Sequence, residues 1–321
     1  MVETVVNRRM ETGRANLEVF SEVLQNLAQT DKDIIVVTSD SRGSGKLVPF
    51  GDKFPKQIIE IGIAEQNLVG VAAGIASTGK KVFAVSPACF LTARSFEQIK
   101  NDVAYSDNPV NLIGISAGVS YGALGSTHHS LHDYAALRAV NNLIIVAPAD
   151  NYETEQAIIH AASLNQPVYI RFGKKNMPYL VENGTDFQFG KGRIIKEGTD
   201  LTIIGTGETV FPALQAAEKL QSEYGIQAAV LSMHTIKPLD YDLISKFAET
   251  GKPIITVEEH SIYGGLGEAC ASFLMENNYR NRFKIMGIPD EYTVTGSQNE
   301  IFNHYEISEQ GILTAAMKLL S

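Results

Sequence analysis

Ile58-Ile59-Glu60-Ile61-Gly62-Ile63-Ala64-Glu65-Gln66-Asn67 passes from an apolar run, through a glycine, into a segment that opens with a carboxylate. A short β-branched run reads as a strand, and a Glu just beyond the turn reads as the first turn of a helix. In an open α/β sheet, ligands bind at the carboxyl ends of the strands. The helix dipole also favours a carboxylate at this position. A first-turn Glu is common, so the stretch alone fits a plain helix start as well as a ligand site.

The same rhythm extends in both directions. Apolar runs occur at Ile34–Thr38, Gln57–Ile61, Lys81–Val85, Val110–Ile115, Leu143–Ala147 and Val168–Arg171. Helical stripes lie between them, marked by Leu17, Phe20, Leu24 and Leu27, and by Ile158, Ala161 and Ala162. Near-continuous apolar strands alternating with helices predict an α/β fold, a parallel sheet covered on both faces. The rhythm fades from Lys174 to Glu197, where Pro178 and several glycines fall, and this stretch reads as a linker. It resumes with strands at Leu201–Gly205, Ala228–Leu231, Ile254–Val257 and Phe283–Gly287. Helices are expected at Val210–Tyr224, Leu266–Glu276 and Ser308–Leu320. Two α/β domains are therefore expected, over residues 10–185 and, smaller, over 195–321.

The chain has 321 residues, 44% hydrophobic and 20% charged, which suits two domains with their own cores. Cys89 and Cys270 are far apart and fit no zinc spacing. Few cysteines and no N-terminal apolar stretch suggest a cytoplasmic protein. Met1 to Arg14 is polar and reads as frayed or packed on a partner. No run of about 18 apolar residues predicts a membrane span. A net charge of -9 with dispersed lysines argues against nucleic acid.

Two further segments carry chemistry. Cys89-Phe90-Leu91-Thr92-Ala93-Arg94-Ser95-Phe96-Glu97-Gln98-Ile99 follows the strand ending at Val85. Phe90 and Phe96 are placed to wall a site at that sheet edge, though core packing explains such aromatics equally well. Gly118-Val119-Ser120-Tyr121-Gly122-Ala123-Leu124-Gly125-Ser126-Thr127-His128-His129-Ser130-Leu131-His132-Asp133 gathers three histidines behind a glycine-rich loop. His128 and His132 lack the intervening Glu of a zincin, so no metal is expected here. Histidines lining a polar pocket suit the segment better, since neutral imidazole both donates and accepts.

In order and spacing, the three segments resemble the pyrimidine-binding domain of transketolases and their relatives, over nearly the whole chain. Glu258-Glu259-His260-Ser261 and Gly264-Gly265-Leu266-Gly267-Glu268 are similar to the start of that family's C-terminal domain. The glycines there read as structural rather than phosphate-binding, since a lone glycine cluster is a weak signal. The resemblance implies thiamine diphosphate as cofactor, with Glu65 bonding N1′ of its aminopyrimidine. A carboxyl there promotes the imino tautomer that deprotonates the thiazolium, which is acid–base catalysis relayed through the cofactor. It also implies that Phe90 and Phe96 pack on the ring and that Thr127-His128 faces the sugar. Asp40 is a weaker candidate for the cofactor or an interface. Ala147-Pro148-Ala149-Asp150 matches a turn ahead of a helix.

The family's Gly-Asp-Gly motif for the metal–diphosphate is missing, because Gly51-Asp52 is followed by Lys53. The diphosphate domain and its Mg²⁺ or Ca²⁺ are therefore expected on a separate N-terminal subunit, in an α2β2 assembly. Leu124 stands where the family usually has an Asp for a donor hydroxyl, and His129 stands for a Gln. An unpaired buried polar group costs about 1–3 kcal/mol, so a non-standard sugar is expected. Lys174, Arg171, Lys175 and His128 are candidates for the acceptor's anion, with Ser44 and Arg42 weaker; Arg171 also suits a structural role, and Lys175 a solvated one. The leading expectation is a C-terminal transketolase subunit moving a two-carbon ketol unit between sugar phosphates. Half of a deoxyxylulose-phosphate synthase and a 2-oxo-acid dehydrogenase beta subunit are the alternatives.

Overall fold

The computed structural model describes residues 12–180 and 187–321. The first domain is built on a seven-stranded sheet. Its spatial order is Thr235–Lys237, Ile144–Val146, Val168–Phe172, Val110–Ile115, Lys81–Pro87, Ile34–Thr38 and Ile58–Glu60. All neighbours are parallel except Thr235–Lys237, which runs antiparallel to Ile144–Val146. Strand side chains alternate between faces, so each strand feeds two cores. Val37, Leu112 and Ala84 face one apolar cluster, while Val36, Ile113 and Phe83 face the other. The helix Asn16–Thr30 seals the second cluster with Leu17, Phe20 and Leu24, as its stripe predicts.

The second sheet orders Phe283–Ile288, Ile254–Ser261, Leu201–Gly205, Ala228–Ser232 and Arg193–Lys196, the last antiparallel. Two of the expected helices match their bounds, Val210–Tyr224 and Leu266–Glu276, and the third runs Glu309–Leu320. One apolar cluster runs through both domains, from Leu68 and Tyr134 to Leu231, Phe247 and Cys270.

Three differences from the sequence expectation follow from long-range pairing. Thr235–Lys237 lies in the second block of sequence yet closes the edge of the first sheet. The expected linker is ordered in part: Asn176–Pro178 pairs with Thr12–Ala15, and Arg193–Lys196 joins the second sheet. Three- and four-residue strands carry too little periodicity to stand out in sequence. The expected frayed start extends less far than Arg14, whose backbone N–H donates to Asn151 Oδ1 at 2.9 Å; Met1 to Glu11 lie outside the described residues. Among the described residues no helix is long and apolar enough to cross a membrane.

Candidate active site

The strand Ile58–Glu60 and the helix Glu65–Ala76 are joined by a turn in which Gly62 takes φ +79°, a left-handed value that favours glycine. The Glu60 carboxylate fixes that turn, accepting from Gly62 N–H at 2.9 Å and Asp40 N–H at 2.7 Å. Glu65 is thereby set as the first helical residue, with its side chain 4% exposed. Arg94 Nη1 donates to both of its oxygens, at 2.9 and 3.0 Å. The Arg94 guanidinium lies 4.0 Å from the centre of the Phe90 ring. Phe90 and Arg94 share a face of the helix Ala88–Arg94 because they are one turn apart.

From Phe90 the site continues to the glycine-rich loop. The His128 ring stands edge-on to Phe90 at 5.2 Å and to Tyr121 at 5.4 Å. Lys174 Nζ sits 3.9 Å over the Tyr121 ring. That seat partly desolvates the ammonium and lowers its pKa. His128 Nδ1 is 3.0 Å from Thr127 Oγ1, and its Nε2 has no protein partner among the described residues. Glu65, Arg94, Phe90, His128, Tyr121 and Lys174 thus form one chain of contacts along the carboxyl edge of the sheet. Leu124 is 54% exposed on the 3-10 turn Gly122–Leu124 in the same loop.

Phe96 is half-buried against the main apolar cluster, on a short turn packed against the helix Glu65–Ala76. Asp40 is exposed, on a loop after the strand Ile34–Thr38. Ser44, half-buried in that loop, donates to Ser41 O at 3.2 Å. Lys175 is exposed and donates to Asn299 Oδ1 at 2.7 Å.

Two of the sequence candidates need correction. Arg171 is 4% exposed and cannot meet an anion from solvent. Its Nη1 donates to Asp133 Oδ1 at 2.7 Å and its Nη2 to Glu259 O at 2.8 Å, which ties the two domains together. Burial alone would raise the Asp133 carboxyl, but the charge of Arg171 outweighs this and holds it below the usual carboxylate range. His129 is likewise buried rather than lining the cleft. Its Nε2–H donates to Gly122 O at 3.1 Å, and Nδ1 meets Thr293 Oγ1 of the second domain at 2.6 Å. Burial lowers its pKa, consistent with a neutral clamp. Sequence reading gave no role to Arg94 or Tyr121. The Phe90-to-Arg94 spacing of one helical turn was the available signal; Tyr121 offered none.

The glycine cluster at 264–267 does not present a free anion site. Glu258 fills the helix start itself, accepting from Leu266 N–H at 2.7 Å and Gly267 N–H at 2.8 Å. Among the described residues no group of three or more His, Cys, Asp or Glu is arranged to hold a metal ion.

The family models "Transketolase, pyrimidine binding domain" and "Transketolase, C-terminal domain" match residues 13–179 and 190–312. The chain belongs to the transketolase family. It is 50% identical over 303 residues to one subunit of the apulose-4-phosphate transketolase of Phocaeicola vulgatus, covering 94% of this chain and 96% of that one. Its fold matches a solved split-gene transketolase, described as an inactive beta4 tetramer, with TM-score 0.85 and 35% identity. That match covers 96% of this chain and 98% of the other. It is also 36% identical to the 1-deoxy-D-xylulose-5-phosphate synthase of Halothermothrix orenii, spanning 98% of this chain but 49% of that enzyme. The transketolase family depends on thiamine diphosphate, and the two most similar of these relatives are halves of split enzymes, so this chain is a transferase subunit of that type.

Proposed function

We propose that this chain is the C-terminal subunit of a two-polypeptide transketolase that moves a two-carbon ketol unit between anionic sugars. The observation that carries the reading is Glu65. It is a nearly buried carboxylate at a strand-to-helix turn, held by a half-exposed side chain that is able to withdraw, beside the aromatic face of Phe90. Those residues fit an aminopyrimidine ring: Glu65 for a ring nitrogen, and Phe90 and Phe96 for the ring's apolar surround. Thiamine diphosphate, when bound, supplies the carbanion stabilisation that lets a ketose carbon–carbon bond break and re-form. Its diphosphate and metal fall to a partner subunit, in an assembly of the α2β2 kind.

The chain's own residues then act on the sugar. His128 presents an unpartnered Nε2 to the cleft, with Thr127 steadying the ring. It is placed to take the proton of the donor's C3 hydroxyl as the C2–C3 bond breaks, and to return one to the acceptor's carbonyl oxygen as the new bond forms. Lys174 offers a cation at the cleft's outer end for a distal phosphate. Leu124 offers no acceptor to a sugar hydroxyl, which supports a donor unlike the usual pentulose phosphates. Apulose 4-phosphate, named for the relative that is half identical, is the first to test.

The test is a donor screen with the co-purified partner subunit, including apulose 4-phosphate, xylulose 5-phosphate and pyruvate. Ketose turnover lost about 10²-fold or more in Glu65→Gln supports the reading. Turnover of pyruvate alone would favour the synthase half, and wild-type rates in Glu65→Gln would remove Glu65 from the mechanism.

A further inference from the structure

We propose that the Arg94 guanidinium occupies, in the free subunit, the place the cofactor's aminopyrimidine takes, and must leave for that ring to bind. The inference rests on the function proposed above. A guanidinium is planar, stacks on aromatic faces and points N–H donors in its own plane. An amino-substituted heteroaromatic ring has the same properties. Arg94 uses all of them at once, donating to both Glu65 oxygens and covering Phe90 at 4.0 Å. Two planar groups cannot share that face and that carboxylate.

Of the two partners, Arg94 is the one able to move. It is the last residue of the helix Ala88–Arg94, its side chain is 46% exposed, and its hydrogen bonds among the described residues go to Glu65. Glu65 is fixed at the start of a twelve-residue helix by the Gly62 turn. The arrangement has a physical purpose. A buried carboxylate without a partner destabilises the fold, so a subunit that meets its cofactor only on assembly needs a temporary counter-charge. The same contact opposes ring binding, because the ion pair must break first.

The decisive measurement is calorimetric titration of thiamine diphosphate into the assembled pair carrying Arg94→Met, which keeps the stem's length and removes the fork. Binding should tighten roughly 5- to 30-fold, the span of one hydrogen bond to a charged group. The free Arg94→Met subunit should melt at a lower temperature than wild type, while the loaded pair should not. In a Glu65→Gln background the substitution should leave cofactor affinity unchanged. A structural Arg94 would lower both melting temperatures and loosen binding, and that result, or unchanged affinity, overturns the proposal. If Arg94→Met does not fold, Arg94→Gln provides the same comparison. A wild-type pair that binds no thiamine diphosphate defeats the function itself, whereas a wild-type pair that binds and turns over while Arg94→Met binds less tightly defeats this inference alone.

Discussion

The imidazole of His128 stands edge-on to the ring of Phe90, their centres 5.2 Å apart and their planes at 71°. The histidine thus borders the surface proposed for the cofactor ring while keeping Nε2 free. His128→Ala should cut kcat/KM about 10²- to 10⁴-fold in the assembled pair. Thiamine diphosphate affinity should change little, since Glu65 is untouched. Steady-state kinetics beside calorimetry check this, and His132→Ala, exposed ahead of the helix Asp133–Arg138, should be mild. Full turnover in His128→Ala with turnover lost in His132→Ala would move the site to His132 and Asp133.

His129 acts on the fold rather than on the sugar. His129→Ala strips the bonds to Thr293 and Gly122 and leaves a gap between the domains. A loss of about 1–3 kcal/mol is expected, the cost of leaving buried polar groups unpaired. Denaturant unfolding of the free chain measures it. A variant as stable as wild type but with altered sugar preference would return His129 to the substrate.

Leu124→Asp should shift donor preference toward common ketose phosphates. Leu124 is 54% exposed, so a new carboxylate there stays hydrated and the melting temperature should hold. An unchanged donor profile in the folded variant would show that this position does not read the sugar.

Arg171→Met should be severe, at about 3–5 kcal/mol, because it leaves Asp133 buried without its counter-charge. Chemical denaturation, or loss of soluble chain, reports it. A stable Arg171→Met with a raised KM for phosphorylated acceptors would instead mark Arg171 as a substrate ligand.

The domain seam also carries a pH dependence. Gln298 Nε2 bridges two buried carboxylates, at 2.7 Å from Glu208 and 2.9 Å from Glu259. Burial raises the Glu259 carboxyl, the neighbouring Glu208 charge raises it further, and Arg171 opposes both. Burial raises Glu208 as well, against Gln298, Lys175 and Arg171. The adjacent Glu258 is pushed up to about 7, chiefly by burial. Raised carboxyls bind protons more tightly folded than unfolded. Stability is therefore greatest near and below the ordinary carboxylate range and declines as pH rises toward the folded values. Between pH 5 and 8 the melting temperature of wild type should fall more than that of Glu259→Gln, which mimics the neutral acid. Parallel curves would show that the pair does not share this load.

Much of the fold could be read from the sequence because its signals are local. The parallel strands are long β-branched runs, and the helices Val210–Tyr224 and Leu266–Glu276 carry full stripes. The pieces that could not be read are short and depend on distant partners. Thr235–Lys237 is a strand only because Ile144–Val146 lies beside it, and Arg193–Lys196 only because Ala228–Ser232 does.

The sequence by itself determined the strand–Gly62–Glu65–helix unit, the Thr127-His128 pair and the family these imply, since each is a contiguous motif with its own local geometry. Only the tertiary structure decided which candidates face the cleft. Arg171 and His129 have the same chemistry as residues that bind substrates, but their donors are turned inward to Glu259 and Thr293 from the other domain. Arg94, in contrast, reaches Glu65 across 29 positions of chain. A side chain's partner is set by packing between segments far apart in sequence, and residue type and spacing do not record it.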